Sequence, residues 1–168
     1  MIDGKGLSDL MNAVKKLNSN FRLFIVGDGP QKNELENLAK KLGFREKIIF
    51  FGHKKFEEAM GILKISDIFV NPSYTEGLPT SVIEAAFCKK AIIATNVGGT
   101  PEIITDNQSG YLINPKDIPT LKNKLEILIN NETLRKELGN NAYNEMLNKF
   151  NWNKSIERYL EIFDKMLK

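Results

Sequence analysis

Short apolar runs alternate with amphipathic stretches from the N-terminus to residue 113, and this alternation constrains the fold more than any other feature. The apolar runs predict strands at residues 22–26, 47–51, 67–71, 91–95 and 111–113. Their cores are continuously apolar, as in Leu-Phe-Ile-Val and Ile-Ile-Phe-Phe, which is typical of parallel strands that helices cover on both faces. The pattern therefore predicts an α/β fold with a doubly wound, mostly parallel sheet.

The stretches between the predicted strands have the apolar spacing of amphipathic helices. These helices are predicted at residues 7–17, 31–42, 56–65 and 79–87. Beyond the last strand, three more helices are predicted with no strand between them, at residues 118–130, 132–149 and 153–168. Because no internal repeat and no long linker interrupts the chain, we expect one domain with a helical C-terminal segment.

Composition excludes several broad classes of protein. Apolar residues make up 42% of the chain, and Gly and Pro number only 12 and 6, which argues against disordered and collagen-like chains. No apolar run approaches the roughly 20 residues that a membrane-spanning helix needs. The 24 basic and 21 acidic residues give a net charge of +3, and the lysines are scattered, so nucleic acid is not an expected partner.

The single cysteine of the chain, Cys88, cannot form an internal disulfide. We interpret it as a small buried apolar side chain rather than a nucleophile. A chain with so little cysteine is typical of a reducing compartment, so we expect a cytoplasmic location.

Parallel sheets of this kind bind ligands in the loops that follow the C-terminal ends of their strands. The loop after the predicted strand at 67–71 leads into a helix, and Pro79 is well suited to be its first residue because the missing N–H would have no partner there. The N–H groups around Thr80 and Ser81 can then hold an anion. Glu84 follows one turn later, about 6 Å along the axis, which matches the step from a diphosphate to a ribose.

Two interpretations of Glu84 are open at this point. As a lone glutamate on an amphipathic helix, it would be a solvated charge. Its neighbours Val82, Ile83, Ala85 and Ala86 are apolar, however, and a carboxylate among apolar side chains needs a partner. Two adjacent ribose hydroxyls can donate hydrogen bonds to one carboxylate, so a ribose is the candidate partner.

Glu76 and Glu84 occur in the pattern Pro-Ser-x-x-Glu-Gly-Leu-Pro-x-x-x-x-Glu-Ala, with seven residues between the two glutamates. This pattern resembles the signature of the retaining GT-B glycosyltransferases of family GT4, also called glycosyltransferase group 1. Further segments follow in the order typical of the family, at residues 26–30, 50–53, 66–73, 98–104 and 110–113. The resemblance covers nearly the whole chain. It implies a Rossmann-like, nucleotide-sugar-binding domain at residues 1–150, with residues 151–168 as the C-terminal helix of that domain and the crossover helix of the family.

The resemblance implies roles for the residues of this loop and helix. Glu84 would bind the ribose, and Glu76 would contact hydroxyls of the transferred sugar. Lys5 resembles the lysine that binds the diphosphate in this family, with a flexible charge near the N-terminus as the alternative. Glu76 and Lys5 are therefore the candidate catalytic residues. Backbone N–H groups would meet the sugar and the diphosphate at Gly77, Leu78, Thr80 and Ser81.

Four further positions are candidate donor-binding residues. The turn with Gly27 and Gly29 lacks the full spacing of a dinucleotide-binding loop, so we favour a tight strand-to-helix turn with minor ligand contact. The resemblance places His53 near the nucleobase through backbone atoms, and a catalytic base is the less favoured alternative. Gly99 is expected in a loop and helix start near the donor sugar, with a purely structural turn as the alternative.

The implied chemistry is sugar transfer from a nucleoside-diphosphate sugar to a glycan, lipid or polysaccharide precursor, with retention of configuration. The sequence contains no Asp-x-Asp, so neither a metal ion nor another cofactor is predicted. A phosphorylase or epimerase on the same fold is an alternative enzyme. A nucleotide-sugar-binding or scaffold domain without catalysis is the alternative from another class.

The sequence departs from the family pattern at its N-terminus. Family members have a strand ending in Gly-Arg before the Lys-Gly pair, and this first, central strand is missing from the chain, together with the N-terminal acceptor-binding domain. We therefore expect a fragment with little or no transferase activity alone, whose partner is the missing domain. The full-length enzyme would associate peripherally with the inner face of the membrane.

The C-terminal segment carries an apolar stripe, which is also consistent with a fragment of a larger enzyme. Phe150, Trp152 and the stripe resemble the closing helix of the family, with packing on the home domain as the alternative for Phe150 and Trp152. Without the missing half, we expect part of the stripe to be exposed. The stripe consists of Ile156, Tyr159, Leu160, Phe163 and Met166.

Overall fold

The computed structural model of the chain describes residues 4–150 and 152–167. The five strands of this part are β1 (Leu23–Val26), β2 (Ile48–Gly52), β3 (Ile68–Asn71), β4 (Ala91–Thr95) and β5 (Tyr111–Ile113). The helices are α1 (Leu7–Lys15), α2 (Lys32–Leu42), α3 (Phe56–Ile65), α4 (Thr80–Phe87), α5 (Thr100–Ile103), α6 (Ile118–Ile129), α7 (Glu132–Lys149) and α8 (Trp152–Met166). The alternating order confirms the α/β class.

One short element escaped the sequence prediction, a 3₁₀ turn at Arg45–Lys47 before β2. Helix α5 has only four residues and begins where a helix start was expected, with Gly99 as its N-cap. Helices α2 and α4 each begin one residue later than expected. Pro79 was predicted to be the first residue of its helix, but it is the N-cap of α4, with an extended backbone at ψ 101°. The first two helical N–H groups, those of Thr80 and Ser81, therefore follow the proline and remain available at the helix end.

Every strand pair in the described part is parallel, as predicted, but the strands form two sheets. One sheet has the order β1-β2, and the other has the order β3-β4-β5. No hydrogen-bonded strand of the described residues joins the second edge of β1 to the second edge of β3. The position between these two edges is the one at which the sequence predicted a missing strand.

Side-chain packing joins the two sheets where backbone pairing does not. Helix α1 contributes Leu10 and Met11 to a buried cluster that also contains Ile25 of the first sheet and Ile93 of the second. Burial of such side chains contributes roughly 1.5–3 kcal/mol each. Helix α1 therefore holds the two sheets as one α/β layer.

Strand β4 is buried on both faces, with all five of its residues inside. Ile93 faces the cluster under α1, whereas Ile92 faces a second cluster with Val82 of α4, Ile103 of α5 and Met146 of α7. Helices on both sides of a parallel strand account for its continuous apolar run. The core thus anchors both ends of the loop that runs from β3 to α4.

The apolar stripe of α8 is exposed. Exposed fractions range from 50% at Ile156 to 76% at Met166, which agrees with the expected exposure of the stripe. Phe150, in contrast, packs against the second cluster. The side chain of Trp152 lies outside the described part, as do residues 1–3. Among the helices that the structure describes, none is both long enough and apolar enough to cross a bilayer.

Candidate functional site

Three segments meet at the edge of the sheet where β3 and β4 have their C-terminal ends. They are the loop at residues 72–79, the turn at 96–99 and the N-terminal residues 4–6. Tyr74 N donates to the carbonyl oxygen of Gly4 at 2.7 Å, and Gly99 N donates to the carbonyl oxygen of Gly77 at 2.6 Å. Most of the predicted site residues lie on these segments or on the first turns of α4.

Two glycines permit this close approach. Gly98 has φ +52°, and a Cβ there would lie 2.0 Å from the carbonyl oxygen of Glu76. Gly6 has φ +63°, and a Cβ there would lie 2.0 Å from the carbonyl oxygen of Pro72. Both backbones adopt the left-handed region and touch another backbone, so no other residue fits without displacing the loop.

Lys5 and Glu76 form an ion pair in the site. Lys5 Nζ donates to Glu76 Oε1 at 2.7 Å, and the two side chains are 41% and 13% exposed. The lysine thus contacts the loop rather than extending as a free terminal charge. The contact brings the two candidate catalytic residues together.

Three buried polar side chains lie behind Glu76, and the sequence prediction missed all of them. Asn71 ends β3, Thr95 ends β4 and Ser73 follows two residues after Asn71; their exposed fractions are 7%, 2% and 0%. Asn71 Nδ2 donates to Glu76 Oε1 at 3.5 Å, and Ser73 Oγ donates to Asn71 Oδ1 at 2.7 Å. The hydroxyl of Thr95 donates to the carbonyl oxygen of Ser73.

These contacts set the charge state of Glu76. Partial burial acts to raise the pKa of its carboxyl, but the hydrogen bonds from Lys5 and Asn71, the nearby hydroxyl of Ser73 and the charge of Lys5 outweigh burial and lower it below the ordinary value. Glu76 is therefore ionised at neutral pH and available as a hydrogen-bond acceptor.

The N-terminus of α4 presents donors next to an unpaired carboxylate. The N-cap Pro79 forms no side-chain cap, and within the described part no acceptor meets the N–H groups of Thr80 and Ser81. Glu84 lies one turn further along and is partly buried. No side-chain hydrogen bond or ion pair links its carboxylate to another described residue, unlike Glu76.

Tyr74 anchors the loop to α1. Its hydroxyl donates to Asp9 Oδ2 at 2.7 Å, and Lys116 Nζ lies 5.1 Å from the centre of its ring. A small cavity of about 50 Å³ lies beside it, lined in part by Gly4, Leu35 and Gln31. Neither Glu76 nor Glu84 lines that cavity.

Gly27, Gly29 and His53 form a separate group at the C-terminal end of the other sheet. Gly27 N donates to the carbonyl oxygen of Gly52 at 2.8 Å, which joins the two turns. The side chain of His53 is exposed. Among the described residues, no hydrogen bond or ion pair connects this group to Glu76 or Glu84.

The parallel α/β architecture is that of the C-terminal domain of GT-B glycosyltransferases. The chain belongs to the family of glycosyl transferases group 1, whose sequence profile matches residues 2–145. The resemblance predicted from the sequence is confirmed.

Two relatives and one solved structure illustrate the match. The chain is 35% identical over 162 residues to an uncharacterized glycosyltransferase of Methanocaldococcus jannaschii, covering 96% of this chain and 45% of the relative. It is 31% identical over 171 residues to an N,N'-diacetylbacillosaminyl-diphospho-undecaprenol alpha-1,3-N-acetylgalactosaminyltransferase of Campylobacter jejuni, covering 98% and 42%. The crystal structure of the C-terminal domain of a glycosyl transferase group 1 protein from Francisella tularensis superposes with a TM-score of 0.78 and 30% identity, covering 89% of this chain and 82% of that domain. The chain thus spans less than half the length of the two relatives.

Proposed function

We propose that this chain binds the nucleoside-diphosphate sugar of a retaining glycosyltransferase and holds it for transfer to a hydroxyl of a glycan, lipid or polysaccharide precursor. One observation carries the proposal: the uncapped N-terminus of α4, with an unpaired carboxylate one turn further and an ionised carboxylate in the preceding loop. Three groups of this spacing suit the phosphate, ribose and sugar parts of one ligand.

The diphosphate would lie at the start of α4. The N–H groups of Thr80 and Ser81 have no acceptor in the described part, and the helix dipole favours negative charge at this end. Gly77, Leu78 and Gly99 lie directly beside this turn, where Gly99 N already binds the carbonyl oxygen of Gly77. These residues would supply backbone contacts rather than charge.

The ribose would bind Glu84. A partly buried carboxylate without a protein partner retains its need for hydrogen-bond donors. Two neighbouring ribose hydroxyls can donate two hydrogen bonds to the oxygens of a single carboxylate. This accounts for an acidic residue among the apolar residues of α4.

The transferred sugar would meet Glu76. This carboxylate is held by neutral and cationic donors on its protein side, and an ionised carboxylate accepts hydrogen bonds from sugar hydroxyls. Gly27, Gly29 and His53 lie on the other sheet, and we propose that they contact the base side of the donor through backbone atoms.

The reaction breaks the bond between the anomeric carbon and the diphosphate oxygen. Negative charge then grows on the leaving diphosphate. The N-terminus of α4 is a fixed donor that would stabilise it, and the ammonium of Lys5 would add a positive charge when it moves from Glu76 to the phosphate. The leaving phosphate accepts the proton of the acceptor hydroxyl on the same face, and the electron pair of that hydroxyl oxygen forms the new bond with retained configuration. The remainder of a full-length enzyme would supply the acceptor site, so we expect little transferase activity from these 168 residues alone.

Calorimetric titration of this chain with UDP-, GDP- and ADP-glucose tests the proposal. We expect one of the three donors to bind, and Glu84→Ala to weaken its binding by roughly tenfold or more, because hydrogen bonds to a charged group contribute about 1.5–3 kcal/mol. Glu102→Ala is the matched control, since Glu102 is an exposed carboxylate on the adjacent helix α5. Equal losses in both variants, or none in Glu84→Ala, would contradict the ribose assignment.

A further inference from the structure

A continuous run of buried polar groups connects the end of β4 to the candidate site. Thr95 donates to the carbonyl oxygen of Ser73, the Ser73 hydroxyl donates to Asn71 Oδ1 at 2.7 Å, and Asn71 Nδ2 faces Glu76 Oε1 at 3.5 Å. We call Asn71, Ser73 and Thr95 the polar relay. Its three side chains are each more than nine-tenths buried.

We propose that Asn71 and Ser73 are positioning residues that orient the Glu76 carboxylate, and that Thr95 fixes the backbone carrying Ser73. The proposal deepens the proposed function, because the role of Glu76 toward the sugar rests on it.

The direction of the hydrogen bonds supports an orienting role. A serine hydroxyl has one proton, and here it is donated to the amide oxygen of Asn71. The amide nitrogen of Asn71 must then face the opposite way, toward Glu76. The relay therefore presents a donor, not an acceptor, to the carboxylate.

The relay also stands on rigid elements. Asn71 is the last residue of β3 and pairs with Ala94 of β4, next to Thr95. Side chains at the ends of paired, buried strands move less than side chains on loops. Glu76 itself lies on a loop, so its carboxylate depends on partners of this kind for a fixed direction.

Lys5 cannot serve the same purpose throughout a catalytic cycle. Its side chain is 41% exposed, has a flexible stem and binds Glu76 in this structure, while the proposed function assigns it to the diphosphate. When the ammonium moves toward a bound phosphate, Glu76 loses its strongest partner. Asn71 is neutral and is held by Ser73, so its amide remains on Glu76 without competing for the phosphate.

The test is a side-chain ¹³C NMR titration of Glu76 in the wild type, Ser73→Ala, Thr95→Val and Lys5→Met. Ser109→Ala is the matched control, because Ser109 is 1% exposed and its hydroxyl binds another carboxylate, that of Glu145. We expect the pKa of Glu76 to rise by about half a unit or more in Ser73→Ala, to rise further when Lys5→Met is added, and to stay unchanged in Ser109→Ala. Thr95→Val has nearly the shape of the wild-type side chain and is the second variant if Ser73→Ala does not fold. We expect Thr95→Val to raise the pKa of Glu76 by less than Ser73→Ala does.

An unchanged pKa of Glu76 in Ser73→Ala and Thr95→Val would overturn the proposal, as would an equal rise in Ser109→Ala. Binding of UDP and UDP-glucose provides a second readout. The relay predicts that Ser73→Ala weakens UDP-glucose binding severalfold and leaves UDP binding unchanged; equal weakening of both would contradict it. If the wild type binds neither, uridine donors are excluded from the proposed function, while the NMR titration still decides the relay.

Discussion

At the scale of single residues, Gly98 is the position where the site depends most directly on backbone geometry. Gly98 adopts φ +52°, and a Cβ at this position would lie 2.0 Å from the carbonyl oxygen of Glu76. The left-handed backbone and the missing side chain of Gly98 let the turn after β4 pack directly against the loop that carries Glu76. A side chain at this position would push the two loops apart.

Gly98→Ala is therefore expected to destabilise the chain by about 2 kcal/mol or more, from the left-handed backbone and the steric clash together. Gly61→Ala is the control, since Gly61 lies inside α3 with nothing within 4 Å of a Cβ. That substitution should be neutral or stabilise by about 0.5–1 kcal/mol. Urea unfolding of both variants measures the difference, and a Gly98→Ala variant as stable as Gly61→Ala would show that the close approach is not required.

At the scale of elements, a carboxylate on α7 fastens the loop between α5 and β5. Glu145 accepts hydrogen bonds from the hydroxyls of Thr105 and Ser109 and lies 3.4 Å from Lys149 Nζ. Burial acts to raise the pKa of Glu145, but the two hydroxyls and Lys149 outweigh it and lower the pKa below the ordinary value. A carboxyl whose pKa is lowered on folding stabilises the fold above its unfolded pKa, and this stabilisation is lost as the pH falls through the folded pKa.

Glu145→Gln should thus lower the free energy of unfolding by about 1–3 kcal/mol at pH 7. The stabilities of variant and wild type should converge in acid, as the pH falls below the ordinary glutamate pKa of 4.5 and through the lowered pKa of the folded state. Glu137→Gln, at an exposed position of the same helix, should have little effect at either pH. Denaturant unfolding at pH 7 and in acid measures both. If Glu145→Gln lowered the free energy of unfolding equally at both pH values, the charge of Glu145 would not be what holds the loop on α7.

The elements also show what the sequence could predict. Strands β4 and β5 and helices α3 and α7 have the predicted bounds because their apolar spacing runs without interruption from end to end. Helix α5 is too short for a periodic pattern, so the sequence indicated its start at Gly99 but not its extent. Pro79 shifted from the first helical residue to the N-cap because both positions tolerate its missing N–H.

The same limit applies to the site. Glu76 and Glu84 could be singled out because they stand in a longer family pattern that further segments of the chain accompany; the pair of glutamates alone is a weak signal. Asn71, Ser73 and Thr95 could not, because these residue types at strand ends are typical of ordinary turns. Their role depends on hydrogen bonds that join the end of β4 to the end of β3 and the residues after it. The spacing of residues in the sequence does not reveal these bonds.

At the scale of the whole molecule, two surfaces remain without a partner among the described residues. One is the pair of strand edges between β1 and β3, and the other is the apolar stripe of α8. The chain spans less than half the length of its curated relatives. In the proposed function, this chain binds the donor and further polypeptide would supply the acceptor site.

Binding of a nucleoside-diphosphate sugar at the N-terminus of α4 is tested most directly by ¹H–¹⁵N chemical-shift mapping with the donor that binds. We expect the amides of Thr80, Ser81 and Gly99 to shift together with one dissociation constant. A contrary result would be shifts confined to the groove that is lined by Lys89, Lys90, Arg135 and Lys136 together with Asp67 and Glu132, with the amides of Thr80 and Ser81 unmoved.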